Sequence, residues 1–327
     1  MNSASTTVRS AILSVVIGAA LLSGFAWADQ PSIPQIGVIT AGPENSPWDE
    51  GLRDGLRELG YIEGKNIIIE WRRPLGTDEE LRSVASQLAG AKVELIVAFS
   101  TPAAGATLQV TTVPVVFVAG DPVGAGLAAS LARPGGHGTG VSMLNRELAG
   151  KRMELLQQVA PGIRRIVFLM NPSNPLDARM LEEAQKAART LSLKLETLGA
   201  RNADELDVTL RALPRSSADG LLVANDLFLM VNRGKITQAV RKAKLAAIFP
   251  FKEYHDGGAL MSYGPTTRDA GRAVAVYVDK ILKGAKPSEL PIEQMSKYEL
   301  IIDLGVARAM GIRVPQELLL RADEVIR

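Results

Sequence analysis

The chain has 327 residues, with 37 basic and 35 acidic side chains, a formal net charge of +2 and no cysteine. That balance, with no basic run interleaved with aromatics, excludes the electrostatic footprint of a nucleic-acid binder. The missing cysteines exclude thiol catalysis, disulfides and cysteine-ligated zinc or iron–sulfur centres, and leave no acylated cysteine to tether a lipoprotein.

The first residues read as an export signal. Arg9 supplies a short positive region, Ala11–Leu22 is an uninterrupted apolar-and-small run, and Ala26-Trp27-Ala28 fits the small-x-small cleavage rule. Cleavage near Ala28 is expected to release a periplasmic protein beginning at Asp29. A spanning helix wants about 20 apolar residues, more than this run holds. Removing residues 1–28 takes away Arg9 alone and leaves 36 basic against 35 acidic residues. A mature chain of about 300 residues exceeds what one core usually holds, so two lobes are expected.

From Gln35 onward, short β-branched runs alternate with helical segments. Strands are predicted over Ile36–Thr40, Ile67–Trp71, Val93–Phe99, Val113–Val118, Gly138–Ser142, Ile166–Met170, Leu193–Leu198, Gly220–Ala224, Ala246–Phe249, Ala259–Ser262 and Tyr298–Ile302. Leu52, Leu56 and Leu59 mark one helix before Gly60, and Leu81, Val84, Ala85 and Leu88 mark the next. Continuous apolar strands alternating with helices predict an α/β chain of two Rossmann-like lobes, each a parallel sheet covered on both faces. The series runs twice, before Gly135-Gly136 and again from Arg164. Pro134–Val141 reads as the first crossing between lobes, with returns near Met261–Pro265 and Ile292–Tyr298. The lobes are therefore expected to comprise 29–140 plus about 265–293, and 141–264 plus about 294–327.

Ligands of open parallel sheets bind beyond the carboxyl ends of the strands. Three of those ends carry Asn45-Ser46-Pro47-Trp48, Ser100-Thr101-Pro102 and Gly120-Asp121-Pro122. Each sets a capping residue beside a proline suited to a first helical turn. Helix N-termini aimed at one cleft suit a carboxylate, so Ser46 and Thr101, with Ser100 beside them, are expected to hold an anion. The opposing strand ends supply Asn171 and Asp226, and Asp121 and Asp226 are expected to neutralise a ligand ammonium. Asn174 is expected only to cap the helix after Pro175. Trp48, Phe251, Tyr254 and Tyr263 fall near strand ends, where an apolar or aromatic ligand body could pack.

Signals for catalysis are weak. His137 and His255 lack metal-ligand spacing, and neither a Gly-x-Ser-x-Gly elbow nor a P-loop is present. Gly124-Ala-Gly126-Leu-Ala-Ala129 loosely matches a dinucleotide fingerprint, with Glu147 as its following acid. Asp121-Pro122, however, sets a negative charge where the pyrophosphate would dock. No cofactor and no metal are expected.

Several stretches together resemble one family. They are Gly120-Asp-Pro-Val-Gly-Ala-Gly-Leu127, Leu131-Ala-Arg-Pro-Gly-Gly136, Leu148-Ala-Gly-Lys-Arg-Met-Glu-Leu-Leu156, Met170-Asn-Pro-Ser-Asn-Pro175, Gly257-Gly-Ala-Leu-Met-Ser-Tyr-Gly-Pro265, Tyr277–Pro287 and Arg321-Ala-Asp-Glu-Val325. In this order, over Ile36 to Arg327, the chain resembles the ABC-transporter substrate-binding proteins of the type I periplasmic-binding fold, in the branch that includes aromatic-amino-acid binders. The resemblance implies two lobes joined by three crossing strands, a small solute clamped between them, and no catalysis. It also implies delivery to an ABC permease and its ATPase, with a monomer as the expected state. His137 and the stretch Ala224-Asn-Asp-Leu-Phe228 depart from the family pattern, and the second departure bears on which solute is held. The alternatives are a periplasmic sensor module that docks on a receptor, and a two-domain dehydrogenase-like enzyme.

Overall fold

A computed structural model describes residues 33–40, 43–74, 77–143, 148–215 and 217–327. The predicted export signal with its cleavage site, and Glu147, lie outside these residues.

In chain order the elements are β1 (Gln35–Ile39), α1 (Pro47–Glu58), β2 (Ile68–Arg72), α2 (Asp78–Gly90), β3 (Leu95–Phe99), α3 (Thr101–Val110), β4 (Val115–Ala119) and β5 (Gly138–Ser142). Next come α4 (Leu148–Val159), β6 (Arg165–Met170), α5 (Pro175–Thr190), β7 (Lys194–Gly199), α6 (Ala203–Ala212), β8 (Gly220–Val223), α7 (Leu227–Val231) and α8 (Arg233–Ala243). The remainder are β9 (Ala246–Phe249), β10 (Met261–Gly264), α9 (Thr267–Leu282), β11 (Glu293–Gln294), β12 (Glu299–Asp303), α10 (Leu304–Met310), α11 (Gln316–Leu319) and β13 (Glu324–Ile326).

The strands form two sheets. One has the order β11-β5-β4-β3-β1-β2 and the other β13-β12-β10-β9-β8-β6-β7. All pairings are parallel save β10 with β12, which run antiparallel with Met261 opposite Ile302. This is the α/β architecture of two helix-covered, mostly parallel sheets. The central strands are apolar without alternation because both of their faces are covered. Every residue of β3 and β4 is buried. β11 and β13 were not predicted, since Glu293-Gln294 and Glu324–Ile326 carry no buried apolar run. Their edge positions ask for little more than backbone pairing.

The chain passes between the sheets after β5, after β10 and after β11. On the second passage α9 leaves the β10 edge and packs along α1. Glycines set that contact. A Cβ at Gly51 would stand 2.0 Å from the Arg268 carbonyl oxygen, and one at Gly271 would stand 2.4 Å from that of Trp48. The two backbones therefore touch, with Leu52, Leu56, Val274 and Val278 buried along the seam's neighbourhood. Leu59, read as part of the apolar stripe, is the exposed C-cap of α1. The close approach carries the first turn of α9 to the side of α1, and both helices begin at the same cavity.

Candidate functional site

The carboxyl ends of β1, β3 and β4 in one sheet, and of β8 and β9 in the other, open on a cavity of about 560 Å³. That volume is typical of a small-molecule site. Ser46, Trp48, Ser100, Thr101 and Thr267 line it on the first side, and Asn174, Asp226, Met230, Phe251 and Glu253 on the second.

Three helices present their first turns. At α1, the Ser46 Oγ accepts the Asp49 N–H at 3.5 Å, and the Asp49 carboxylate accepts the Ser46 N–H at 3.1 Å. This reciprocal capping box satisfies both donors. Asp49 is fully buried, and the Arg73 guanidinium holds it at 2.6 Å. With Pro47 at the first helical position, the Trp48 N–H is the first-turn donor left over among the described residues. At α3 the cap is Ser100, whose Oγ accepts the Ala103 N–H at 3.1 Å. Pro102 has no N–H to offer, so the Thr101 N–H is left there. The Thr101 Oγ1 accepts the Gly120 N–H at 3.1 Å, which ties the end of β3 to the end of β4. Its hydroxyl proton stays available to a ligand.

The third helix start is not the one predicted. Residues after Asp121 form a turn instead of a helix: the Asp121 Oδ1 accepts the Gly124 N–H at 2.9 Å, and Gly126 then takes φ +73°. An aspartate accepting the N–H three residues on makes the hydrogen bond of a helix N-cap, and this turn makes the same bond without a helix following, so the local pattern could not separate them. The third first turn belongs to α9, capped by the Thr266 Oγ1 on the Asp269 N–H at 3.0 Å. Sequence reasoning missed it because the passage from β10 sets it beside α1.

The facing wall holds buried carboxyl groups, with Arg233 and Lys252 also lining it. The Asp226 Oδ1 caps α7 through the Leu229 N–H at 3.0 Å. Its Oδ2 accepts the amides of Asn174 at 2.9 Å and Asn171 at 3.3 Å. Asp177, fully buried on α5, accepts the Asn171 backbone N–H at 2.7 Å and the Asn174 amide at 3.2 Å. Two buried carboxyl groups thus share two asparagines. Burial first, and then the Asp226 charge, pushes the Asp177 carboxyl up to about 8. Burial also raises Asp226, partly offset by the hydrogen bonds it accepts. Burial therefore disfavours charge on both members of the pair.

Glu253 lies in the segment after β9 and is the acidic group that sequence reasoning did not select. Its Oε1 accepts the Thr267 hydroxyl, and its Oε2 is buried with no hydrogen-bond partner among the described residues. Burial raises its carboxyl, which the Thr267 bond, its own backbone N–H and the Arg233 guanidinium partly counter.

Of the residues predicted for the site, Ser46, Trp48, Ser100, Thr101 and Asp226 meet at the cavity, while Asp121, Asn171 and Tyr263 do not line it. The Asp121 Oδ2 sits 3.3 Å from the Arg179 guanidinium of α5. That pair stands where a Gly124 Cβ would be, 1.7 Å from the Arg179 Nη1, which gives the glycine a packing reason unrelated to a dinucleotide. Asn171 supports Asp226 from behind. Tyr263 packs on Tyr298 with ring centroids 6.0 Å apart, and its carbonyl accepts the Nε of the fully buried Arg152 at 2.8 Å.

Apolar surface fills the rest of the cavity. Trp48 and Phe99 lie with ring centroids 5.3 Å apart, and Phe251 and Met230 face them from the other wall. Tyr254, read as a ligand-facing ring, is instead fully buried and stacked on Phe249 at 4.7 Å. His255 bonds the Ser262 Oγ at 3.0 Å. Among the described residues no three His, Asp or Glu side chains converge to hold a metal ion. No described helix is long and apolar enough to cross a membrane.

A family model described as ABC transporter substrate binding protein matches residues 35–326. The chain is 23% identical over 325 residues to a tyrosine-binding protein of Clostridioides difficile, covering 94% of this chain and 93% of that protein. A Streptococcus pneumoniae ABC domain in complex with L-Trp superposes with a TM-score of 0.84 at 27% identity, over 90% of this chain and 100% of that one. A conserved domain protein from Vibrio cholerae gives the same TM-score of 0.84 and 27% identity, over 90% and 99%.

Proposed function

The chain belongs to the ABC transporter substrate binding protein family, and on that premise we propose that it captures an L-amino acid with an aromatic side chain and delivers it to an ABC permease. The observation that carries this reading is the cavity's polarity. Helix N-termini with unspent N–H donors at Trp48 and Thr101 meet buried carboxyl groups across a gap floored by Trp48 and Phe99. The donors suit the α-carboxylate, the acids suit the ammonium, and the rings suit an aromatic body. The L-Trp complex and the tyrosine-binding relative support the same class of solute.

Residues 29–140 plus about 265–293 act as one lobe, and 141–264 plus about 294–327 as the other. Closure is a hinge motion at the three passages between the sheets, and the solute favours the closed form by touching both walls. The export signal delivers the chain to the periplasm, where it works as a monomer by binding rather than catalysis. Thermal unfolding against a panel of amino acids, aromatic acids, purines, sugars and nicotinamide cofactors tests the proposal. A cognate solute at 100 times its dissociation constant adds about 2.7 kcal/mol, a shift of several degrees at this size. A panel in which no α-amino acid raises the midpoint refutes the assignment.

A further inference from the structure

Among the described residues, six carboxylates line the cavity. Glu50, Asp256, Asp269 and Glu299 are each paired with a basic side chain, and remaining hydrogen-bonding capacity separates the other two, Asp226 and Glu253, as well as Asp121 outside it. A carboxylate offers about four lone-pair sites. Asp226 has committed three, to the Leu229 N–H, the Asn174 amide and the Asn171 amide. Asp121 accepts from Gly124 and Arg179 and does not line the cavity. Glu253 lines the cavity and gives only its Oε1 to Thr267, while Oε2 is buried and unpartnered among the described residues. A buried carboxyl oxygen without a donor is costly, and native structures rarely leave one so unless another group completes it.

The position fits as well. Thr267 is the first residue of α9, whose backbone touches α1 at Gly271 and Trp48. Glu253 is thereby held beside the wall that carries the Trp48 N–H, next to where a carboxylate would dock. Because Glu253 follows β9 of one sheet and α9 packs beside the other, its bond to Thr267 also spans the two walls.

Resting on the amino-acid reading above, we infer that Glu253, and not Asp226 or Asp121, receives the solute's ammonium and so sets the preference for amino acids over the corresponding deaminated acids. Asp226 then serves mainly to order α7 and the asparagine pair.

The test is calorimetric titration of the full chain with L-tyrosine and L-tryptophan, and with 3-(4-hydroxyphenyl)propanoate and 3-indolepropanoate. Glu253→Gln should weaken the two amino acids by about 10–100-fold and the two deaminated acids by less than about threefold. Asp226→Asn should weaken all four alike. Because a cavity substitution can disturb folding, a crystal structure of the unaltered protein with L-tyrosine supplies a second reading. The ammonium nitrogen should lie about 3 Å from the Glu253 Oε2. Wild-type preference retained in Glu253→Gln, preference lost only in Asp226→Asn, or an ammonium seated on Asp226 overturns the inference. Wild-type protein that binds no α-amino acid overturns the receptor reading itself, and this inference with it.

Discussion

Gly51→Ala should damage the binding site without touching it. The added Cβ would begin 2.0 Å from the Arg268 carbonyl oxygen, whereas ordinary contact starts at 3.4 Å. The obstacle is backbone, so no side chain can swing aside, and α1 and α9 must separate by about an ångström locally. Overpacking of this kind costs about 1–3 kcal/mol. The same separation moves the Trp48 N–H away from Thr267, so solute affinity should fall with stability. Urea unfolding and calorimetric titration read the two effects. Gly234→Ala is the control: it lies in α8 with nothing within 4 Å, and should be neutral or stabilising by up to about 1 kcal/mol. A Gly51→Ala midpoint equal to wild type, with unchanged affinity, would refute the account of how α9 is held at the cavity.

Three further outcomes are expected. Asp177, raised by burial to about 8, holds a proton in the folded state that the unfolded chain releases above its ordinary value of 3.8. Its contribution to stability is therefore full below about pH 4 and fades as pH rises toward 8, by at most about 1.4 kcal/mol per pH unit. Urea midpoints of Asp177→Asn minus wild type should accordingly grow more positive from pH 5 to pH 8, and a flat difference would contradict the assignment. Arg152→Met should leave the unfolding midpoint unchanged or higher, because this fully buried guanidinium leaves Nη1 and Nη2 without partners among the described residues. A loss above about 3 kcal/mol in urea would contradict that reading. Thr101→Val should weaken an amino-acid ligand by about tenfold, and Asp121→Ala by less than about fivefold, since the Asp121–Arg179 pair lies outside the cavity. Titration with both variants separates the two roles.

The strands were legible because β3, β4 and β8 are buried on both faces, which forces unbroken apolar runs between turn residues. Ser46 was legible because a hydroxyl directly before a proline reports a helix start from local chemistry alone; the same rule points to Thr101 at α3, where Ser100, one residue earlier, is the cap. Other features depend on partners far away in sequence. Nothing near Thr267 or Glu253 announces that the chain returns them to α1, and β11 and β13 are held by edge pairing that two or three residues cannot advertise. Asp121 misled because its immediate hydrogen bond is the same in a turn as in a helix. Tyr254 misled because a ring near a strand end can point into the core as readily as toward a ligand, and here it stacks on Phe249.

Trp48 offers the most direct test of the central claim. Trp71 bonds Glu63 at 2.7 Å away from the cavity, so Trp71→Phe together with Trp27→Phe leaves Trp48 as the sole tryptophan. Titrating L-phenylalanine or L-tyrosine while following its fluorescence should give a saturable one-to-one change, weakened by Thr101→Val. Emission that stays constant with every α-amino acid tested would contradict the claim that one binds in this cavity.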